Sequence, residues 1–288
     1  MAREIKELSG SPGTLPTYLR AAAPMIPGAS LLPFVAGRGD DVPDLELRLS
    51  SVGIDRDHLA AYSRVCGFRL RDQLPATYPH VIAFPLHMKL MTDSSFPFPA
   101  VGLVHIANRI TVHRPLLASE ELDVRVRPTK IEPHPKGRQF SIQTEVRVKR
   151  KLVWEGESTM LRRGGGSSEN GRGDDFGSPP EGHAVWRLSG DLGRRYAGVS
   201  GDRNPIHMHP LSAKLFGFPR AIAHGMWTKA RSVAAVEARL PDAYTVDVGF
   251  RKPILLPGSV AFGAEGDRFA VTGAREPDRV HLIGRIER

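Results

Sequence analysis

Six residues recur at a near-constant distance along this chain, and that recurrence limits the available folds more than any other feature. Tyr62 pairs with Tyr196, Gly67 with Gly201, Pro79 with Pro219, Ile82 with Ile222, Ala83 with Ala223 and Pro115 with Pro253, at offsets of 134 to 140 residues. A fixed offset over six positions signals a duplicated unit. Each copy also reads the same way. In the second, Ile222, Met226, Ala230, Val233 and Val236 lie at helical spacing, which predicts a helix over 219–240 stopped by Pro241. Alternating strand patterns follow in "TVDVGFRKPI", "SVAFGAE", "RFAVTGA" and "RVHLIGRI". The first copy has "YPHVIAFPLHM" and then "LVHIANRITV", "LDVRVRPTKI", "RQFSIQTEVRVK" and "LVWEGESTML". One long helix and a run of antiparallel strands in each copy define an α+β class, in which a sheet buries one face on a helix.

The copies are separated by "RGGGSSENGRGDDFGSPPEG", which is nearly free of large apolar residues and reads as a flexible linker over 163–182. Two domains are therefore expected, 1–162 and 183–288. A chain of 288 residues with 41% hydrophobic and 25% charged residues has the composition of a globular protein and can bury a sizeable core in each.

Composition also narrows the function classes. The apolar stretch from Ala21 to Ala36 is broken by Pro24, Pro27 and Pro33 and is too short to span a bilayer, so no membrane span is expected. The single cysteine, Cys66, excludes an intramolecular disulfide, suits a cytoplasmic location and reads as a small buried apolar residue. The net charge of +9 invites a nucleic-acid partner, but the charge is spread along strand-like segments such as "RVRVRPTK". With no zinc-finger spacing and no RNP-like aromatics, no nucleic-acid partner is expected. A basic surface equally suits a phosphorylated small molecule or an acidic carrier protein.

The chemistry concentrates in "YAGVSGDRNPIHMHP", Tyr196 to Pro210. Ser189 is a plausible N-cap for a helix over 190–198 that breaks at "SGD". Gly201 and Pro205 make the following loop short and stiff, so Asp202 and His207 fold back toward a common point where one water could be held and deprotonated. The same residues also suit a polar turn, with Asp202 and Asn204 making Asx-turn bonds and His209 capping a helix that opens at Pro210. Three further features favour the acid/base reading. "AIAHGM" places His224 and Gly225 at a helix start, where free N–H groups form an oxyanion hole. "FRKP" sets the cations Arg251 and Lys252 beside Phe250 at a strand end, as candidates for a cofactor's phosphates. The first copy keeps the framework Tyr and Gly but carries Phe68 at the place of Asp202 and Phe84 at the place of His224, and no "NPIH" follows.

"YAGVSGDRNPIH" followed by "FPRAIAHGM" resembles the hydratase 2 signature of the MaoC-like dehydratase family, the (R)-specific enoyl-CoA hydratases. The resemblance implies two tandem hot-dog domains, each an antiparallel sheet wrapped around a long central helix, the first being a degenerate repeat. It implies that Asp202 and His207 activate water, that Asn204 orients their loop, and that the Gly225 N–H polarises the thioester carbonyl. Ser200, Ile206 and His224 belong to the same motif and are expected to line the substrate. In the first copy, Phe68 and Phe84 are expected to make room for a long acyl tail. The implied substrate is an acyl-CoA, or the same acyl group on an acyl carrier protein. The thioester carrier is substrate, and neither a metal nor another cofactor is implied. By the same analogy the protein forms a homodimer. A hot-dog thioesterase and an acyl-CoA-binding module are the competing classes.

Overall fold

A computed structural model of the chain describes residues 3–13, 17–18, 20, 41–164 and 176–288. The Pro-broken apolar stretch 21–36 and the central part of the linker, 165–175, lie outside them. Two compact units share the chain by interleaving: residues 1–53, 80–106 and 120–173 form the first, and 54–79, 107–119 and 174–288 the second.

The first unit is built on strands β1 (Glu4–Leu8), β2 (Leu45–Val52), β4 (Leu122–Pro128), β6 (Gly137–Val148) and β7 (Lys151–Arg163), which neighbour one another in that order, with the short β5 (Glu132–His134) paired to β6. All these pairs are antiparallel except β1 with β2, a parallel edge pair that no alternation in the sequence announced. β4 alternates buried and half-exposed side chains, as a sheet with one covered face requires. Most of helix α2 (Tyr78–Met91) belongs to this unit. It is apolar on nearly every side, the composition of a central buried helix, with Ala83, Leu86 and Leu90 fully buried.

The second unit repeats the plan with all pairs antiparallel. Its strands run in the order β3 (Leu103–Val112, from Ala107 onward), β9 (Tyr244–Phe250), β12 (Val280–Glu287), β11 (Arg268–Gly273), β10 (Gly258–Glu265) and β8 (Ala184–Leu188). Helix α6 (Gly225–Val236) packs on β11 and β12, and in the first unit His87 of α2 meets Thr144 of β6 at 2.7 Å, so each unit has the hot-dog arrangement of a helix laid on a sheet. Three helices precede it in this unit's C-terminal segment: α3 (Leu192–Ser200), α4 (Pro205–Met208) and α5 (Pro210–Leu215). Helix α1 (Arg56–Cys66) packs against α3. Its start is fixed by Asp55, whose carboxylate accepts the N–H groups of Asp57 and His58 at 2.9 and 3.1 Å. Its end is fixed by Gly67 at φ 82°, a left-handed residue that closes the last turn onto the Ser63 carbonyl. Cys66 is fully buried, and burial pushes its thiol up to about 12, so it packs and does not react.

The helix predicted over 219–240 is shorter than its periodicity. Residues 221–223 are extended instead: Ala223 N–H bonds the Ile254 carbonyl at 2.9 Å and Leu256 N–H bonds the Ala221 carbonyl at 2.8 Å. These backbone bonds hold the chain out of the helix until Gly225. The helix predicted over 190–198 runs from Leu192 to Ser200; Asp191 and not Ser189 stands at its N-cap position, without a side-chain capping bond, and the Ser189 carbonyl takes the Leu192 N–H at 3.3 Å. Among the described residues no helix is long and apolar enough to cross a membrane.

α6 also carries a charged residue in the core. Lys229 is fully buried, and its Nζ donates to the Asn108 carbonyl at 2.9 Å, Asn108 Oδ1 at 2.6 Å and the Val246 carbonyl at 3.0 Å. Three acceptors match the three N–H bonds of an ammonium group. Burial pulls the amine well below the usual lysine range, with Asp247 acting in the opposite direction. The lysine thus ties the helix to both β3 and β9.

Candidate active site

The site forms where the α3–α4 loop meets the extended segment 221–224. α3 ends because Gly201 adopts φ 74° and returns its N–H to the Ala197 carbonyl. Each following residue is then pinned by a local bond. Asp202 N–H donates to Ser200 Oγ at 3.2 Å, Asn204 N–H to Asp202 Oδ1 at 3.1 Å, and Ile206 N–H to Asn204 Oδ1 at 3.3 Å. The Asx turn and the polar-turn role are therefore present, and they serve to hold the loop. Asn204 is the N-cap of α4, Pro205 its first residue, and the Asn204 carbonyl accepts the His207 N–H at 3.0 Å.

This scaffold fixes the state as well as the place of His207. Its Nδ1 lies 2.8 Å from the Ile222 carbonyl, an acceptor only, so Nδ1 carries the hydrogen and Nε2 presents a lone pair. Ile222 is itself held on both sides, its N–H donating to the Ile206 carbonyl at 3.1 Å and its neighbours bonded to the 254–256 segment. Burial holds the imidazole below the ordinary histidine value, partly offset by the Asp202 carboxylate and the Ile222 carbonyl. His207 is therefore neutral at neutral pH, with the Nε2 lone pair available to accept a hydrogen bond.

His224, expected to line the substrate, is 2% exposed and lies against the catalytic-type residues. Its Nε2 donates to the Asp202 main-chain carbonyl at 2.9 Å, and its ring stacks on His207 with centroids 3.7 Å apart and planes 26° apart. Burial, reinforced by neighbouring His207, pulls its pKa down to about 3, so it too is neutral. On its other side is the buried ring of Tyr196, 4.9 Å away. One polar side-chain atom from each of Asp202, His207 and His224 falls within 4.8 Å of the others.

Such a set contains metal-ligand types, which are equally groups that can hold a water by hydrogen bonds. The two imidazoles are nearly parallel, and each already spends an N–H on a main-chain carbonyl. His209 is committed elsewhere: its Nδ1 accepts the Leu211 N–H at 3.2 Å and caps α5.

Gly225 opens α6, and the first helical hydrogen bond, Thr228 N–H to the His224 carbonyl at 3.1 Å, leaves the N–H groups of the preceding turn for other partners. His224 supplies no side-chain cap there. A Cβ at Gly225 would stand 3.1–3.2 Å from the Phe250 ring, so a side chain at that point would crowd the helix start. Ser200 is buried and acts on the loop through its hydroxyl, and Ile206 contributes its carbonyl to Ile222. Arg251 and Lys252 are exposed at the end of β9, with the Arg251 guanidinium 5.8 Å from the centre of the Phe176 ring. Phe68 is buried and stacks on Tyr62 within the same unit. Phe84 sits on α2 of the other unit, beside His80 at 6.5 Å between ring centres.

Sequence reasoning missed Gly193. A Cβ there would overlap the His207 carbonyl, so α3 and α4 approach as closely as they do only because this residue lacks one. The signal was a glycine inside a helical segment. Gly193→Ala is expected to shift His207 and lower kcat about 10²-fold, the typical cost of displacing a reacting group by about 1 Å. Unchanged helix content by circular dichroism would show that the loss is local, and wild-type turnover would contradict it.

Comparisons with known proteins place the chain in a family. The MaoC like domain matches residues 176–268, which span the site. The chain is 40% identical over 263 residues to 3-hydroxyacyl-thioester dehydratase X of Mycobacterium tuberculosis, covering 89% of this chain and 90% of that one. The crystal structure of HtdX from the same organism superposes with a TM-score of 0.74 at 38% identity, covering 84% of this chain and 98% of the other. A MaoC-like dehydratase of Phytophthora capsici shares the fold, with a TM-score of 0.66 at 19% identity, covering 84% and 95%. The protein belongs to the MaoC-like dehydratase family. As such it is a hydro-lyase of the hydratase and dehydratase type.

Proposed function

We propose that the protein catalyses the reversible addition of water to a trans-2-enoyl-CoA, giving the (R)-3-hydroxyacyl-CoA. The observation that carries this reading is the convergence of Asp202 and His207, with the His207 Nε2 lone pair free by construction and an α-helix N-terminus opening at Gly225. In the hydration direction, a water shared by Asp202 and His207 gives up a proton to the pair while its oxygen bonds to C3. The C2–C3 π electrons move toward the thioester, and the negative charge on the thioester oxygen is met by the Gly225 N–H. The proton then passes from the pair to C2. Because hydroxyl and proton are handled from one side, addition is syn. Dehydration reverses each step. The name of the M. tuberculosis relative points to the 3-hydroxyacyl thioester as that enzyme's substrate, which supports the same pair of compounds here.

Hydration and thioester cleavage are separated by one assay. Hydration of crotonyl-CoA removes the conjugated-thioester absorbance without releasing thiol, whereas a thioesterase releases thiol with the double bond intact. Thiol release alone would overturn the reading.

The pH dependence follows from the state of His207. The reaction needs it neutral, and burial sets its pKa below the ordinary value of 6.5. kcat/KM for hydration is therefore expected to be level through neutral pH and to fall only as the pH drops below that value. An acid limb centred at or above 6.5 would contradict the assignment of His207 as the neutral base.

A further inference from the structure

The second unit contains a cavity of about 600 Å³, within the usual range for a small-molecule site. It is lined by Ile254, Leu255 and Pro257 of the β9–β10 connection together with three arginines: Arg220 from the segment before α6, and Arg275 and Arg279 from the β11–β12 turn. Cations from two segments distant in sequence thus converge on one concave surface.

The guanidiniums are accessible and incompletely committed. Arg220 spends one N–H on the Pro257 carbonyl at 3.1 Å, which holds it in place and leaves other donors of its planar fork. Arg279 pairs with Glu276 at 3.5 Å, but these side chains are 40% and 68% exposed, and an ion pair so solvated is readily exchanged for a stronger anion. Three guanidiniums face one carboxylate, so the lining is set for an anion. By contrast, Arg251 already lies over the Phe176 ring.

The cavity also borders the catalytic centre through a single ribbon of backbone. Ile254 and Leu256 are hydrogen-bonded to Ala223 and Ala221, and the residue between those two, Ile222, holds His207 through its carbonyl. Gly225 follows two residues after Ala223. A ligand whose anionic end rests in the cavity is therefore anchored beside the segment that carries the oxyanion donor.

We propose that Arg220, Arg275 and Arg279 bind the phosphate end of the pantetheine thioester that carries the acyl group. This rests on the thioester reading above. The shared chemistry is a phosphorylated pantetheine, supplied either by CoA or by the prosthetic arm of a carrier protein.

The test compares crotonyl-CoA, crotonyl-phosphopantetheine and the phosphate-free crotonyl-N-acetylcysteamine on wild type and on Arg275→Gln/Arg279→Gln. KM for crotonyl-CoA is expected to rise about tenfold for each guanidinium that bonds a phosphate, with kcat unchanged. KM for the phosphate-free thioester should not move, nor should any KM in Arg187→Gln, a control on exposed β8. An equal rise for both phosphorylated substrates assigns the pantetheine phosphate. A rise confined to crotonyl-CoA would place the arginines on the nucleotide phosphates and overturn the pantetheine assignment. Unchanged KM for both, or an equal rise for the phosphate-free substrate, overturns the proposal. Calorimetric titration of CoA into wild type and variant needs no turnover. If wild type hydrates none of the thioesters, the functional reading fails, while weaker CoA binding by the variant still supports the cavity and equal binding sinks it.

Discussion

Asp202→Asn is expected to lower kcat for crotonyl-CoA hydration by about 10²–10⁴-fold, the range for loss of a positioned acid/base group, with little change in KM. The substitution alters little else. Asn is isosteric with Asp, its side-chain oxygen can still accept the Asn204 N–H that Asp202 Oδ1 accepts at 3.1 Å, and the main-chain carbonyl that takes the His224 Nε2–H is untouched. What disappears is the negative charge that raises the pKa of His207 and that, in the proposed mechanism, helps hold and deprotonate the water. The loop therefore survives and the chemistry does not. A His207→Gln variant should lose a comparable factor, and the double variant should lose little more, because in the proposed mechanism the two residues act on one water and their effects are not additive. An acyl-CoA-binding module would keep its affinity in Asp202→Asn and would have no turnover to lose.

The second large effect is on stability. Lys229→Met is expected to destabilise the second unit by roughly 3 kcal/mol, the scale of the penalty when buried acceptors lose their donor. Methionine fills a similar volume, so the loss isolates the polar term: the Asn108 carbonyl, Asn108 Oδ1 and the Val246 carbonyl would face an apolar side chain. Urea denaturation should show a lower midpoint with an unchanged slope. Adding Asn108→Leu should recover part of the loss, since removing both partners of a buried polar pair costs less than removing one. Wild-type stability in Lys229→Met would show that the lysine is not holding α6 to β3 and β9.

How far the sequence revealed these features depends on whether their causes are local. The strands at "LVHIANRITV" and "RVHLIGRI" were visible because alternation is a property of adjacent residues, and β3 and β12 form there. The Asp202–His207 loop was visible because Gly201, Asn204 and Pro205 fix it through bonds spanning two or three residues. The start of α6 was misread because the apolar spacing that begins at Ile222 is helical, whereas Ile222 itself is bridged to Leu255, more than thirty residues away. Lys229 was overlooked for the same reason, as its acceptors come from β3 and β9. Nothing in "AIAHGM" says that the Asp202 carbonyl will accept the Nε2–H of His224, because that bond joins residues 22 positions apart. Nor does local pattern disclose that the two units interleave, with residues 54–79 and 107–119 joining the C-terminal segment.

The central claim is that Asp202 and His207 deliver both parts of one water to one face of an enoyl thioester. Hydration of crotonyl-CoA in D₂O, followed by stereochemical analysis of the product at C2 and C3, tests it most directly. The expected product is (R)-3-hydroxybutyryl-CoA carrying deuterium at C2 in the single configuration that syn addition produces; an (S)-3-hydroxy product, or deuterium placed by anti addition, would contradict delivery from one shared water.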